Sequence, residues 1–290
     1  MSDQTQTPLL VGAAAGAPST NWKIIRRPSY VRWTVDALIV AFVVGLAWMS
    51  ITNPNFQWDV VGKYLLHPSV LKGLWTTISL TIITMVLGVL IGILFATLML
   101  SQDRFLKSFA AAYIWLFRGT PLLVQLIFWF NISALYPQIN IGVPGGPYLF
   151  SFSGNSITPF MAAILGLALH EGAYMAEIVR GGVQAVGRGQ SQAAIALGMT
   201  RLQAFGRITL PQALRIIVPA TGNQVILMLK TTSLVSVIAL PELLYSVQNI
   251  YARTFEVVPL LIVASVWYLF MCSILSLVQY FLEKNLGKGH

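Results

Sequence analysis

The chain has 290 residues, 56% of them hydrophobic and only 9% charged, where a soluble domain carries about 25% charged residues. It cannot cover itself with polar surface, which excludes an ordinary water-soluble globular domain and points to an integral membrane protein. The net charge of +9 does not imply nucleic acid, because the basic residues fall in segments between apolar runs.

Residues 1–33 hold Gln, Thr, Ala, Gly and Pro, then Lys23, Arg26, Arg27 and Arg32. They read as a cytoplasmic tail, disordered at its extreme end, leading into a signal-anchor helix. A cleaved signal peptide is the alternative, but the following run lacks a small-residue cleavage site. A spanning helix needs about 20 mainly apolar residues. Six runs approach that: 35–51, 74–100, 113–135, 157–178, 222–244 and 259–282. The first has Asp36 at its edge. The third is broken by Arg118-Gly119-Thr120-Pro121, where Pro121 starts or kinks a helix because it lacks a backbone donor. The fold class is therefore an all-α membrane protein of about six transmembrane helices. Residues 34–73 form one helix and an outer segment, 74–282 the main membrane domain with a polar loop at 180–221, and 283–290 a cytoplasmic tail. The single cysteine, Cys272, lies in the last run and reads as a buried, inert thiol.

The Lys/Arg bias sets orientation. Arg104 and Lys107, then Arg180, Arg188, Arg201, Arg207 and Arg215, then Lys284 and Lys288 fall on the same side as the N-terminal tail. Both termini and the polar loop are expected to be cytoplasmic. Outside, 52–73 carries Trp58, Tyr64 and Trp75 nearby, as an interfacial helix would. Residues 136–156, rich in Pro and Gly, read as irregular loop, and 245–258 as a short loop. No outer segment is large enough to capture a solute by itself.

In the polar loop, Gly187, Gly189 and Gly198 bracket residues 190–197, a short helix between glycine turns. A second helix could start at Arg201, with Leu202, Phe205, Ile208 and Thr209 at helical spacing; Pro211 is expected to interrupt it. Taken alone, this is an amphipathic connector lying on the membrane. Its pattern, however, resembles the Glu-Ala-Ala signature of permease subunits of ATP-binding-cassette (ABC) importers. Ala193, Ala194, Gly198, Ile208, Leu210 and Pro211 stand at the signature's spacings, and Gln192 replaces its Glu. Losing that carboxylate removes one possible surface ion pair, worth only about 0–1 kcal/mol. Three further segments resemble the polar amino-acid uptake branch of this family: 117–125 (FRGTPLLVQ), 172–182 (GAYMAEIVRGG) and 229–238 (LKTTSLVSVI).

The resemblance covers residues 71–287 and implies a type I importer permease fold: a five-helix core, here with an extra N-terminal helix, in a bacterial inner membrane. It implies that a coupling helix, with Gly189, Gln190, Gln192, Ala193, Ala194, Leu197 and Gly198, fits a groove on an ATPase. It also implies the partners: an ATPase subunit dimer, a second permease subunit (the same chain or another) and an extracytoplasmic solute-binding protein. The lipid bilayer is the surroundings, and nucleic acid is not a partner. The chain has no G-x-x-x-x-G-K-[ST] phosphate loop, so no catalytic residue and no cofactor is assigned to it; ATP and Mg would sit on the partner ATPase.

Charges inside a span are costly and usually face a cavity or partner. Glu171 could meet the amino group of a zwitterionic solute, or be a hydrogen-bonded carboxyl between helices. Beside it, His170-Glu171 opens like a zinc-protease motif, but position 174 is Tyr, so no metal site is assigned. Lys230 could attract a solute carboxylate while Thr231, Thr232 and Ser233 hydrogen-bond it; alternatively Lys230 pairs with a neighbouring carboxylate and the hydroxyls bond their own helix backbone. Many relatives of the branch carry Asp at the position of Thr231, so its absence argues mildly against a purely Arg- or Lys-selective site. Thr120 completes the candidate pathway, at a break whose freed carbonyls could line a cavity. Glu177 and Arg180 read as a local ion pair or a lipid phosphate contact, and Glu242 as either an outer gate or a binding-protein contact. The alternative functions are a permease for an opine, cystine or small peptide, an ion-coupled carrier working alone, and a non-transporting membrane scaffold or intramembrane enzyme.

Overall fold

A computed structural model of the chain describes residues 30–142 and 148–287. It divides into two units after Asn53. The first unit has one described element, α1 (Tyr30–Thr52). Its 23 residues rise about 1.5 Å each, enough to cross the roughly 30 Å hydrocarbon layer. Its large apolar side chains, from Leu38 to Ile51, are exposed. The tail expected to be disordered, residues 1–29, lies outside the described residues.

The second unit opens with α2 (Trp58–Leu65) and α3 (Pro68–Leu100). The segment read as interfacial is thus divided between them, and α3 starts six residues earlier than the apolar run suggested. Pro68 explains this: proline fits the first helical turn, where its missing donor would be unpaired anyway, and His67 accepts from Ser69 N as the cap. Asp103 caps α4 (Arg104–Gly119) by accepting from the amides of Phe105 and Leu106. The chain then bends by 100° into α5 (Leu122–Phe130), with a last turn α6 (Ile132–Leu135). The third apolar run is therefore a broken span.

The segment read as irregular loop forms an antiparallel pair, β1 (Gln138–Gly142) and β2 (Tyr148–Ser153). Alternating Tyr, Phe and Ile at these positions favour a pleated backbone more than the surrounding Pro and Gly disfavour it. α7 (Pro159–Ala185) follows, capped by Thr158. Then come α8 (Arg188–Ala196), α9 (Arg201–Ala204), five residues of π-helix at Phe205–Thr209, and α10 (Leu210–Thr231), continued by a 3-10 stretch at Thr232–Ile238. The expected interruption at Pro211 does not occur. Proline cannot donate to the carbonyl one turn back and its ring presses on that turn; the wider π-helical turn just before it takes up the misfit. Beyond the turn at Ala239 (φ 58°), the outer segment read as a loop is α11 (Leu243–Thr254), bent 47° from the preceding helix. α12 (Val257–Gly287) ends the bundle, so the helix continues into the expected C-terminal tail.

Among the described residues, four helices are long and apolar enough to span, and up to six spans result if each bent pair counts as one. α3 and α7 form the central pair, and small residues let them approach. A Cβ added at Gly88 would lie 2.7 Å from Glu171 Cγ, one at Gly172 would lie 2.7 Å from Tyr113 Oη, and one at Gly92 would overlap Met175. One core joins Leu80, Met85, Leu126, Leu167, Met228 and Val235. The other joins Val61, Val70, Leu74, Leu243, Val247 and Leu260. Ile82, Val86, Leu90 and Ile93 stay exposed along α3, the apolar outside of a bundle whose solvent is lipid.

Candidate functional site

Two places in the second unit gather the expected residues. The first is inside the bundle. The close approach at Gly88 seats Glu171 on α7, 4% exposed, beside α10. A cavity of about 100 Å³ opens there, lined by His170, Glu171, Tyr174, Gln224 and Thr231 together with Leu227 and Met228. Among the described residues, Glu171 Oε1 and His170 Nδ1 are buried with no hydrogen-bond partner. Buried polar atoms are normally paired, so the unpaired carboxyl oxygen beside this cavity is open to a hydrogen bond. Arg118, at the end of α4, places its guanidinium 5.1 Å from the Tyr174 ring centre. It thus brings a cation to a residue of the same cavity, joining Arg118 of segment 117–125 to Tyr174 of segment 172–182, a contact that spacing alone does not give.

The other pathway candidates do not all meet there. Lys230 and Ser233 face a separate cavity of about 490 Å³ with Ser265, Tyr268 and Cys272. Cys272 is half-buried, so the thiol is less enclosed than its run suggested: a long α12 leaves much of its surface outside the bundle. Thr232 is fully buried. The hydroxyls of Thr231, Thr232 and Ser233 donate to Leu227 O, Leu229 O and Lys230 O at 2.7–2.9 Å, within their own helix. Their second lone pairs remain as acceptors.

Thr120 donates to Leu116 O at 2.8 Å, and Gln125 Nε2 bonds Thr120 Oγ1 at 2.8 Å and Phe117 O at 2.9 Å. Gln125 thereby satisfies the carbonyls freed by the 100° bend and makes it a fixed corner. Glu242, fully buried, accepts from the amides of Leu244 and Tyr245 and from Tyr268 Oη at 2.9 Å. Thr77 also donates to it, at 3.4 Å. It caps α11 and ties that helix to α3 and α12; its burial removes it from any outer contact surface. Glu177 and Arg180 form the expected ion pair, extended by Arg180 donating to Gln184 Oε1.

The second place is α8 and its flanks. Gly198 takes φ +88°, the left-handed conformation that ends a helix. Its amide donates to Ile195 O, and the Met199 amide to Ala194 O at 3.1 Å. Ala194 is 6% exposed and forms the inward face of α8; Gln192, Ala193, Ile195 and Leu197 are exposed, Leu197 at 85%. Gly189 and Gln190 lie on the exposed first turn. Thr200 and Gln203 form a reciprocal capping box at the start of α9, which fixes the exit from Gly198. The result is a short helix with its C-terminal end held by backbone hydrogen bonds, displaying small and apolar side chains to the outside.

Residues 88–288 match the family of binding-protein-dependent transport system inner membrane components. The chain belongs to that family. Among its relatives, the arginine transport system permease protein ArgU of Corynebacterium glutamicum is 43% identical over 293 residues, covering 100% of this chain and 89% of the relative. The nopaline transport system permease protein NocM of Agrobacterium fabrum is 38% identical, with 72% and 84% covered. The L-cystine transport system permease protein TcyB of Bacillus subtilis is 34% identical, with 80% and 92% covered. A solved structure, described as a crystal structure of an amino acid ABC transporter with histidines, shares 35% identity and a TM-score of 0.65. It covers 75% of this chain and 94% of its own. The MetNI methionine transporter in an inward-facing form has a TM-score of 0.62 at 16% identity, covering 76% and 97%, and shares the fold. As a member of this family the chain is an inner-membrane permease subunit. The segment 117–125 and the α8 region both lie inside the matched residues.

Proposed function

We propose that this permease subunit imports a polar α-amino acid in an ATP-driven, binding-protein-dependent assembly. The observation that carries the proposal is α8: a capped helix with exposed Gln192, Ala193, Ile195 and Leu197, standing on a bundle that otherwise exposes apolar, lipid-facing side chains. An ATPase dimer docks on it, hydrolyses ATP with Mg at its own sites, and moves Gly189, Gln190, Gln192, Ala193, Ala194, Leu197 and Gly198 as one lever. A second permease subunit completes the pathway, and a solute-binding protein delivers the solute to the opposite face. The bundle alternates between two states that nucleotide and loaded binding protein favour differently. Both termini and α8 are cytoplasmic, following the basic residues around them.

Within the membrane, Glu171 meets the solute's amino group and Thr231 accepts from it. Lys230, Thr232, Ser233 and Thr120 line or support the rest of the path. The 43% identity to a protein named for arginine transport makes a cationic amino acid the first solute to test. Opines and cystine, named for two other relatives, are the second reading, favoured by Thr231 standing where a carboxylate would serve a cation.

Uptake of labelled arginine, glutamine, cystine and an opine into proteoliposomes holding the permease with its ATPase, with and without the binding protein, tests this. ATP- and binding-protein-dependent uptake of one of them is expected. Uptake driven by an ion gradient without the ATPase would make the chain a secondary carrier and end the proposal.

A further inference from the structure

At the end of α3 opposite α8, the structure opens a cavity of about 540 Å³ between α2, the start of α3 and α11. Its wall carries Lys72 and Arg253, with His67, Ser69 and Asn249 between them and Ser246 in its buried part. No carboxylate lines it. Among the described residues neither Lys72 nor Arg253 forms an ion pair, and both are exposed. Lys63 adds a third cation nearby, 5.2 Å from the ring centre of Tyr64, which is itself in the wall. His67 Nδ1 is occupied as an acceptor by the Ser69 amide, which leaves its other nitrogen to donate into the surroundings.

Two unpaired cations with hydroxyl and amide donors, and no competing anion, form a receptor for a phosphate or carboxylate. The level of the cavity decides between them. Trp75, 70% exposed, stands three residues from Lys72 and so on the same face of α3. Exposed Leu71 flanks Lys72, and the stripe continues to Ile82 and Val86. Tryptophan at the end of an apolar stripe marks the headgroup level of a bilayer. The cations therefore stand where lipid phosphates lie, with apolar surface directly below for acyl chains.

We infer that this cavity binds the headgroup of an anionic phospholipid, through Lys72 and Arg253. The site is separate from α8 and from the Glu171 cavity, and it stands whichever solute is carried.

The test uses the assembled transporter in phosphatidylethanolamine nanodiscs doped with spin-labelled phosphatidylglycerol or spin-labelled phosphatidylcholine. The motionally restricted fraction of each lipid is read. The wild-type assembly is expected to restrict phosphatidylglycerol over phosphatidylcholine. Lys72→Gln with Arg253→Gln should lower that preference roughly 30-fold, since each basic group near the surface contributes about a fivefold factor. The charge-preserving pair Lys72→Arg with Arg253→Lys should keep it. An unchanged preference in the neutralised variant would overturn the inference, as would loss in both variants. So would an intact lipid preference combined with weakened capture of the binding protein, which would make the cavity a protein dock.

Discussion

Replacing Gly198 with alanine isolates the contribution of one backbone conformation. At φ +88° a Cβ is strained whatever the space around it, and nothing lies within 4 Å of where it would sit. The substitution therefore adds no clash, only the left-handed penalty of about 1–2 kcal/mol. Since 1.4 kcal/mol is a factor of ten in an equilibrium, the ratio of correctly ended to frayed α8 should fall about 5- to 30-fold. The Met199–Ala194 hydrogen bond is lost with the frayed form. Gly181 provides the control. It lies inside α7, also with nothing within 4 Å, where alanine should stabilise the helix by about 0.5–1 kcal/mol. In proteoliposomes of the whole assembly, Gly198→Ala should lower solute uptake per ATP hydrolysed, while Gly181→Ala should couple near wild type and unfold at an equal or slightly higher temperature. Equal coupling in Gly198→Ala and Gly181→Ala would refute the claim that the end of α8 must be held at one angle.

Three further outcomes follow from the same geometry. Glu171→Gln keeps the shape beside Gly88 but replaces the carboxyl group facing the cavity with an amide, so uptake should weaken while ATPase assembly stays intact; unaltered uptake kinetics would remove Glu171 from the pathway. Glu242→Ala strips the cap of α11 and leaves the Tyr268 hydroxyl and two amides unpaired, which should destabilise the bundle by about 2–4 kcal/mol, read as a lower midpoint of thermal unfolding in detergent. An unchanged midpoint would mean α11 is held by its apolar contacts alone. Gly172→Val would meet Ile91 and Tyr113 and should separate α3 from α7 at a cost of about 1–3 kcal/mol; retention of wild-type stability would show that the pair has slack the glycines do not suggest.

The spans were legible because lipid imposes one rule on every turn of helix: apolar residues outside and no unpaired backbone inside. The break at Gly119-Thr120-Pro121 was legible for the same reason, since proline announces a missing donor. What holds that break was not, because Gln125 is one polar residue in an apolar run and its partners are known only once the chain has turned. Of the two readings of Glu242, an outer gate or a binding-protein contact, burial excludes the contact. The amide partners of Glu242 are local, but Thr77 and Tyr268 come from other helices, and burial depends on all three meeting. Pro211 suggests an interruption because a proline cannot donate to the carbonyl one turn back; a π-helical turn leaves no mark in residue spacing. The glycines of α8 were informative because a positive φ and the motif's spacing coincide at Gly198. Thr231 and Lys230 are neighbours in sequence, yet a 3.6-residue turn points adjacent residues apart, and they open on different cavities.

The account rests on α8 being the seat of an ATPase, and a photo-crosslinking residue in place of Leu197 addresses that contact directly in the assembled transporter within its native membrane. The expected result is an adduct with the ATPase subunit whose yield changes between nucleotide-free and ATP-bound states. Adducts with lipid alone, in every nucleotide state, would contradict it.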